Sequence, residues 1–157
     1  QDITQRSNKM LKLNLILNNL VSSLDHAIQG DTLVNPYHKS DDGKELRQFD
    51  FVVSNPPFKM DFSDTREKIA AMPARFWAGV PNIPKTKKDS MAIYTCFIQH
   101  VINSIKESGK GAIVIPTGFI TAKSGIENKI LKNLLKLFSV LFAAFVFFYL
   151  VHCFNYC

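Results

Sequence analysis

The chain has 157 residues, a formal net charge of +6 and an isoelectric point near 9.3. One domain is the usual expectation for this length, which is enough to bury about two-thirds of the surface of the unfolded chain. The apolar fraction of 46% and the charged fraction of 20% are those of a globular protein and exclude a disordered chain. The positive charge suits a polyanionic partner, but net charge alone names no ligand.

The cysteines indicate a reducing environment. Cys96, Cys153 and Cys157 are odd in number and crowded toward one end, which argues against a disulfide framework and favours the cytoplasm.

No zinc-type spacing occurs, and His100 is expected to be a packed or half-exposed residue, so no metal is predicted. The chain opens with Gln1 and carries no signal peptide, an opening that suggests a fragment.

Alternating elements are predicted along the first half of the chain. Dense apolar residues predict a helix over 4–24 that packs on a sheet. A short strand at 27–29 follows, and a polar, turn-rich connection occupies 34–48. The apolar run at 49–54 reads as a buried strand, and the tetrapeptide directly after it is the most informative part of the sequence.

That tetrapeptide, Asn55-Pro56-Pro57-Phe58, combines an amide, two rigid backbone units and an aromatic face. Methylation of an exocyclic amino group needs these parts together. The exocyclic nitrogen of adenine, for example, is a poor nucleophile, so a catalyst that methylates it gains by accepting hydrogen bonds from both of its N–H groups. The Asn55 oxygen and the Pro56 carbonyl can supply the two acceptors, held in place by the fixed φ of proline. Phe58 can stack on a base that has been extruded from the duplex. The alternative is an ordinary strand followed by a turn.

A long loop is predicted over 59–88, with seven Lys or Arg and three Asp or Glu. It also contains Phe62, Phe76 and Trp77, and basic residues interleaved with aromatics suit a loop that faces nucleic acid. The candidate DNA contacts are Lys85, Lys87 and Lys88, whose alternative interpretation is solvated surface. Trp77 is expected to pack the loop onto the domain. A loop of this length is functional or mobile more often than a simple connector.

The second half of the chain predicts helix, strand and helix. Asp89 or Ser90 can cap a helix that is ended by Gly109 and Gly111. Its apolar face consists of Ile93, Tyr94, Phe97, Ile98, Val101, Ile102 and Ile105. A buried parallel strand at 112–115 and an amphipathic helix at 126–137, with Ile130, Leu131, Leu134 and Leu135 on its apolar face, complete the pattern. The order predicts a doubly wound α/β domain with a mostly parallel sheet.

Several segments in this order resemble the modification subunit of type I restriction-modification systems, which are adenine-specific DNA methyltransferases. The resemblance covers residues 1 to about 136 and rests on Gly30-Asp31-Thr32-Leu33, Asn55-Pro56-Pro57-Phe58, Phe97-Ile98-Gln99-His100, the strand and turn at 111–118, and Gly125-Ile126-Glu127. Lys129-Ile130 replaces the usual Ile-Arg pair of the following helix.

The resemblance implies a Rossmann-like methyltransferase fold that uses S-adenosylmethionine. It implies that Asn55, Pro56 and Pro57 form the catalytic motif around the target amino group, with Phe58 on the flipped base. Asp31 would contact the adenine ring of the cofactor, and Asp2 would bind the ribose hydroxyls. By themselves, the residues around Asp31 favour a turn-forming aspartate after Gly30. Double-stranded DNA, a specificity subunit and a restriction subunit are the implied partners.

Two departures from the family pattern shape the remaining expectations. The Gly-rich cofactor loop is not found in the sequence, so we expect a partial catalytic domain over 1–136, incomplete on its N-terminal side and inactive in isolation. Residues 137–157 carry no Asp, Glu, Lys or Arg and match the length of a membrane span. An artificial or frameshifted end is preferred over an anchor, so membrane attachment is not expected.

Three classes of function therefore stay open. The leading one is a DNA adenine-N6 methyltransferase, and the others are a non-catalytic remnant with DNA or subunit contacts and a membrane-associated protein. A protein glutamine methyltransferase carries a similar motif that usually ends in Tyr, so Phe58 and the Gly-Asp-Thr-Leu segment favour DNA.

Overall fold

The computed structural model describes the backbone of residues 1–140 and the side chains of residues 1–136. The chain divides into two compact units, the first at Gln1–Arg47 and the second beginning at Gln48. Most of the apolar C-terminal stretch lies outside the described residues, so its assignment and the proposed boundary at 136 stay predictions. No helix within the described part is long and apolar enough to cross a membrane.

The first unit contains helix α1, Gln5–Leu17, followed by a 3-10 helix at Val21–His26. The hydroxyl of Thr4 accepts a hydrogen bond from the backbone N–H of Ser7 and caps the start of α1. The prediction of one helix over 4–24 was wrong at its end, because Asn19 adopts a left-handed φ of 58° and breaks the helix.

Most of the α1 surface is exposed. Asn8 is buried, and its side chain donates to the carbonyl of Ala27 at 3.0 Å. By contrast, Met10, Ile16 and Leu17 are 57%, 50% and 73% exposed, so the dense apolar pattern belongs to a largely exposed helix. The predicted strand at 27–29 is reduced to an isolated parallel bridge between Asp2 and Gln29.

The second unit is built on a two-stranded parallel sheet. Strand β1 is Phe49–Ser54, as predicted, and β2 is Ile105–Ile113. The connection between them contains helix α2, Ser63–Ala70, and helix α3, Tyr94–Asn103. This is a mixed α/β arrangement with a small parallel sheet, and the larger doubly wound sheet is not seen within residues 1–140.

Strand β2 begins seven residues before the predicted strand at 112–115. Gly109 and Gly111 therefore lie in a strand and do not end the helix, which was the prediction. A Cβ atom on Gly109 would lie 2.9 Å from the carbonyl oxygen of Phe49, and one on Gly111 would collide with the side chain of Ile105. Glycine is needed at Gly109 because the strands approach closely where their register shifts between Phe49 and Phe51, whereas Gly111 leaves room for a side chain of its own strand.

Helix α3 packs against both strands and against helix α4, which is Gly125–Val140. The buried cluster consists of Ala78, Tyr94, Ile98, Val101, Ile113, Ile115, Phe119, Ile130 and Leu134. The predicted helix at 126–137 is thus present and longer, but Leu135 is 58% exposed and was wrongly assigned to its apolar face. The prediction of a fully buried β1 was also wrong, because Phe51 and Val53 are 74% and 82% exposed.

The segment 59–88 is not an open loop. It contains α2, and Phe62, Ile69 and Phe76 are at most 6% exposed. Trp77 retains 37% exposure, so its neighbour Phe76, at 3%, contributes more to the core. The apolar residues of this segment are therefore used for packing, while its lysine-rich end, 85–88, is exposed.

Candidate active site

The Asn55-Pro56-Pro57-Phe58 segment lies at the carboxyl end of β1. The backbone N–H of Val114 donates to the carbonyl of Ser54 at 3.0 Å, so the segment begins just where the sheet hydrogen bonds stop. This is the edge at which open α/β sheets bind their ligands. Pro56 is buried and Pro57 is exposed, so the segment is anchored at one proline and open at the next.

The Asn55 side chain is exposed. Within residues 1–136 no side-chain or backbone group forms a hydrogen bond with its amide. Both the amide oxygen and the NH₂ group can therefore serve a ligand without breaking an internal bond. The fixed φ of Pro56 and Pro57 limits the freedom of the backbone that carries this amide.

Phe58 is half-buried and belongs to a series of three aromatic rings. Its ring centroid lies 6.4 Å from that of Tyr94, with an interplanar angle of 72°. Tyr94 in turn lies 6.3 Å from Phe119 at 78°. These are edge-to-face contacts, a favoured geometry for aromatic pairs. They connect the segment after β1, the start of α3 and the 3-10 helix Thr117–Phe119 that follows β2.

The Tyr94 hydroxyl donates to Oε1 of Glu127, in the first turn of α4, at 3.3 Å. Burial, followed by the negative charge of Glu127, raises the pKa of Tyr94, so the hydroxyl stays a neutral donor. The sequence placed Tyr94 only on the apolar face of one predicted helix and Glu127 only at the start of another, at 126–137. No local motif signals their pairing, since 33 residues separate them.

The polar side of α3 holds the backbone of the segment before it. Gln99 is 0% exposed; its Oε1 accepts from the N–H of Ala78 at 2.8 Å, and its Nε2 donates to the carbonyl of Gly79 at 3.0 Å. Asn103 donates to the carbonyl of Arg75 at 3.0 Å. Segment 75–79 is therefore fixed to α3 through its main chain, which side-chain patterns do not predict.

His100 is half-buried, as predicted, and its Nδ1 lies 2.7 Å from Nη2 of Arg75. Burial, and then the positive charge of Arg75, lowers the pKa of His100 to about 3. A neutral ring can accept from the guanidinium at Nδ1, so His100 supports the same segment 75–79. Nearby Cys96 is a buried free thiol, and burial raises its pKa to about 12, which makes it unreactive.

In the first unit, Asp31 and Asp2 occupy neighbouring segments of the chain. The bridge between Asp2 and Gln29 brings the two segments together, and Gly30 donates its N–H to the Asp2 carbonyl at 2.9 Å. Oδ1 of Asp31 accepts from the N–H groups of Leu33 at 2.8 Å and Val34 at 3.1 Å, which confirms the turn-forming role. Oδ1 of Asp2 accepts from the N–H of Thr4 at 2.8 Å.

Lys85, Lys87 and Lys88 are all exposed on the second unit. Lys87 has a left-handed φ of 56° and precedes the 3-10 helix Lys88–Ser90. These positions are accessible to a polyanion. Across residues 1–136, no group of three or more His, Cys, Asp or Glu side chains could hold a metal ion.

The decisive comparison is a match to a sequence model of the N-6 DNA methylase family over residues 1–142. The chain belongs to the N-6 DNA methylase family. This family consists of DNA methyltransferases, so the DNA-directed interpretation of the Asn55 segment agrees with the match over residues 1–142. No solved structure matches the chain.

DNA methyltransferases of this family generally use S-adenosylmethionine, and Asp31 and Asp2 are the two carboxylates whose geometry bears on its nucleoside part. Both Asp31 and Asp2 are half-buried and use Oδ1 for internal hydrogen bonds that fix their orientation. A fixed carboxylate can accept from an exocyclic amine or from hydroxyl groups. The turn role of Asp31 is therefore compatible with a binding role, since one oxygen shapes the turn.

Proposed function

We propose that the chain carries the catalytic segment of a DNA adenine-N6 methyltransferase, the modification subunit of a type I restriction-modification system. The observation that supports this most strongly is the position of Asn55. Its exposed amide, without an internal partner in the described part of the chain, directly precedes a buried proline at the carboxyl end of a parallel strand. Membership of the N-6 DNA methylase family agrees with it.

In this proposal, the chain acts by holding the target amino group. Asn55 Oδ1 accepts one N–H of the adenine amine, and the Pro56 carbonyl accepts the other. This aims the nitrogen lone pair and stabilises the positive charge that develops during attack, which makes fixed acceptors more effective than mobile water. Phe58 stacks on the extruded base, whose removal from the duplex exposes the amine.

The donor is S-adenosylmethionine, which supplies an electrophilic methyl group. Asp31 would accept from its adenine amine, and Asp2 would accept from its ribose hydroxyls. We also propose that the parallel sheet belongs to a doubly wound, Rossmann-like arrangement, in which such carboxylates follow strand ends.

The proposed partners follow from the family resemblance. Double-stranded DNA would contact Lys85, Lys87 and Lys88, whose exposed ammonium groups suit phosphate. A specificity subunit would read the target sequence, and a restriction subunit would complete the system. Such an enzyme would work in the cytoplasm, where the DNA is accessible.

The test is Asn55→Ala in a version of the protein extended to include the Gly-rich cofactor loop, assayed by transfer of a labelled methyl group to unmethylated DNA. Loss of one positioned acceptor of this kind is expected to reduce the rate about a hundredfold to a thousandfold. Cofactor affinity, measured by calorimetry, should change little because Asn55 acts on the acceptor. Asn14→Ala, an exposed amide on α1, is the matched control and should keep the parent rate.

Equal rates for Asn55→Ala and the parent would remove Asn55 from the mechanism. A parent without methyl transfer or cofactor binding, but with salt-sensitive DNA binding, would instead identify a non-catalytic remnant.

A further inference from the structure

Phe58 carries the aromatic ring of the catalytic segment, and a stacking ring must be held at a defined angle. This half-buried ring meets Tyr94 at 6.4 Å and 72°. Tyr94 is 6% exposed and lies in the first turn of α3, so the neighbour belongs to a regular, packed element. Phe58 itself follows two prolines and lies outside regular secondary structure.

Tyr94 is held from two further directions. Phe119, 2% exposed, contacts its ring at 6.3 Å and 78°. Glu127 accepts from its hydroxyl at 3.3 Å. Three elements thus determine the orientation of one tyrosine, since α3 carries it, the segment after β2 packs on its ring and α4 binds its hydroxyl.

The absence of a side chain at Gly125 leaves space for the Glu127 carboxylate. Gly125 has a φ of 80°, and a Cβ atom at this residue would lie 3.3 Å from Oε2 of Glu127. Glycine therefore permits the backbone turn and leaves space for the carboxylate beside it. Glu127 also lies in the first turn of α4, where the helix dipole favours a negative charge.

We propose that Tyr94, oriented by Glu127, is a positioning residue that sets the angle of Phe58 for stacking on the target adenine. The inference rests on the proposed function, because it assigns Phe58 to the base. In this arrangement Tyr94 contacts Phe58, and Phe58 contacts the target base. Tyr94 therefore acts through Phe58. Loss of its ring leaves the acceptors of Asn55 and Pro56 in place but frees the stacking ring.

The experiment places 4-fluorophenylalanine at position 58 in the full chain and follows its fluorine NMR signal. The signal of the parent should shift on titration with 2′-deoxyadenosine monophosphate and should shift less with 2′-deoxycytidine monophosphate. Tyr94→Leu should move the signal of the free protein and weaken the adenine affinity about two- to tenfold, the range of an aromatic pair. Tyr94→Phe keeps the ring and should restore most of the affinity.

Two further variants separate positioning from general packing. Glu127→Leu removes the oxygen that accepts from the Tyr94 hydroxyl, and should broaden or split the fluorine signal. Phe97→Leu removes a partly buried aromatic ring of α3 that packs against the core, and should leave the adenine response unchanged. Circular dichroism establishes that each variant is folded.

An unchanged adenine affinity in folded Tyr94→Leu, with a parent that responds to adenine, would overturn the positioning role and leave the proposed function intact. If Tyr94→Leu does not fold, equal line shapes for Glu127→Leu and the parent would overturn it. A parent that shows no response to either nucleotide would count against the base-stacking role of Phe58 itself, and thus against the proposed function.

Discussion

Gln99 shows how one residue can hold a whole segment. Its amide satisfies the N–H of Ala78 and the carbonyl of Gly79, and it also donates to the carbonyl of Thr95 at 3.2 Å. The side chain is fully buried, so no water can replace these bonds in a folded chain. The carboxamide binds a backbone donor and a backbone acceptor at once, because it has both an acceptor oxygen and a donor NH₂ group.

We predict that Gln99→Leu destabilises the second unit by about 2 to 4 kcal/mol, because it leaves a buried backbone donor and acceptor without partners. Gln99→Glu should cost at least as much, because a buried carboxylate oxygen would replace the NH₂ group beside the carbonyls of Gly79 and Thr95. Urea unfolding followed by circular dichroism measures the change, and Gln5→Leu, at the exposed start of α1, is the matched control. A Gln99→Leu midpoint equal to that of the parent would mean that the segment repacks without the amide.

At the scale of elements, the segment 59–88 contains a buried apolar part and an exposed basic end. Its composition alone does not separate the two. Phe62, Ile69 and Phe76 are buried, whereas Lys85, Lys87 and Lys88 are exposed at the end that leads into α3. The net positive charge is therefore not spread along a flexible loop. It lies on a segment whose backbone is hydrogen-bonded to side chains of α3 at residues 75–79.

We predict that replacing Lys85, Lys87 and Lys88 by Gln weakens DNA binding about equally for different sequences. The dependence of log affinity on log salt should become shallower by up to about one unit for each phosphate that a lysine no longer neutralises. Gln is chosen because it removes the positive charge and keeps a long polar side chain at each position. Fluorescence anisotropy at several salt concentrations measures the slope.

The control for this charge change is a triple Gln variant of Lys9, Lys12 and Lys44, which are exposed in the first unit. It alters net charge by the same amount. Equal slopes for the two triple variants would return Lys85, Lys87 and Lys88 to ordinary solvated surface.

At the scale of the molecule, each unit exposes large apolar side chains. Phe51 and Val53 project from the open face of β1, and Leu17 and Met10 are exposed on α1. Neighbouring apolar side chains on one sheet face favour association, because burying them releases water.

We predict that Phe51→Thr combined with Val53→Thr reduces self-association of the chain, since Thr retains a high strand preference while adding a hydroxyl. Sedimentation velocity over a range of concentrations measures the effect. Val52→Thr is the contrasting variant, because Val52 packs against the core and its replacement should lower stability instead. Identical concentration dependence in parent and double variant would show that this face does not drive association.

The sequence by itself determined β1, the position of Asn55 after it and the existence of the helix predicted at 126–137, because each rests on a local apolar pattern or a motif. It failed at Gly109 and Gly111, which were expected to end a helix but lie in β2, where Gly109 permits close contact with β1. It also failed at Phe51 and Val53, since an apolar run does not reveal which face is covered.

Only the tertiary structure decided the surroundings of the motif. Tyr94, Phe119 and Glu127 come from three segments, and Gln99 binds a backbone some twenty residues away. Such pairings depend on distance in space, which no periodicity encodes. Local chemistry could therefore be predicted from residue type, while the angle of Phe58 and the anchoring of segment 75–79 depend on how distant elements pack.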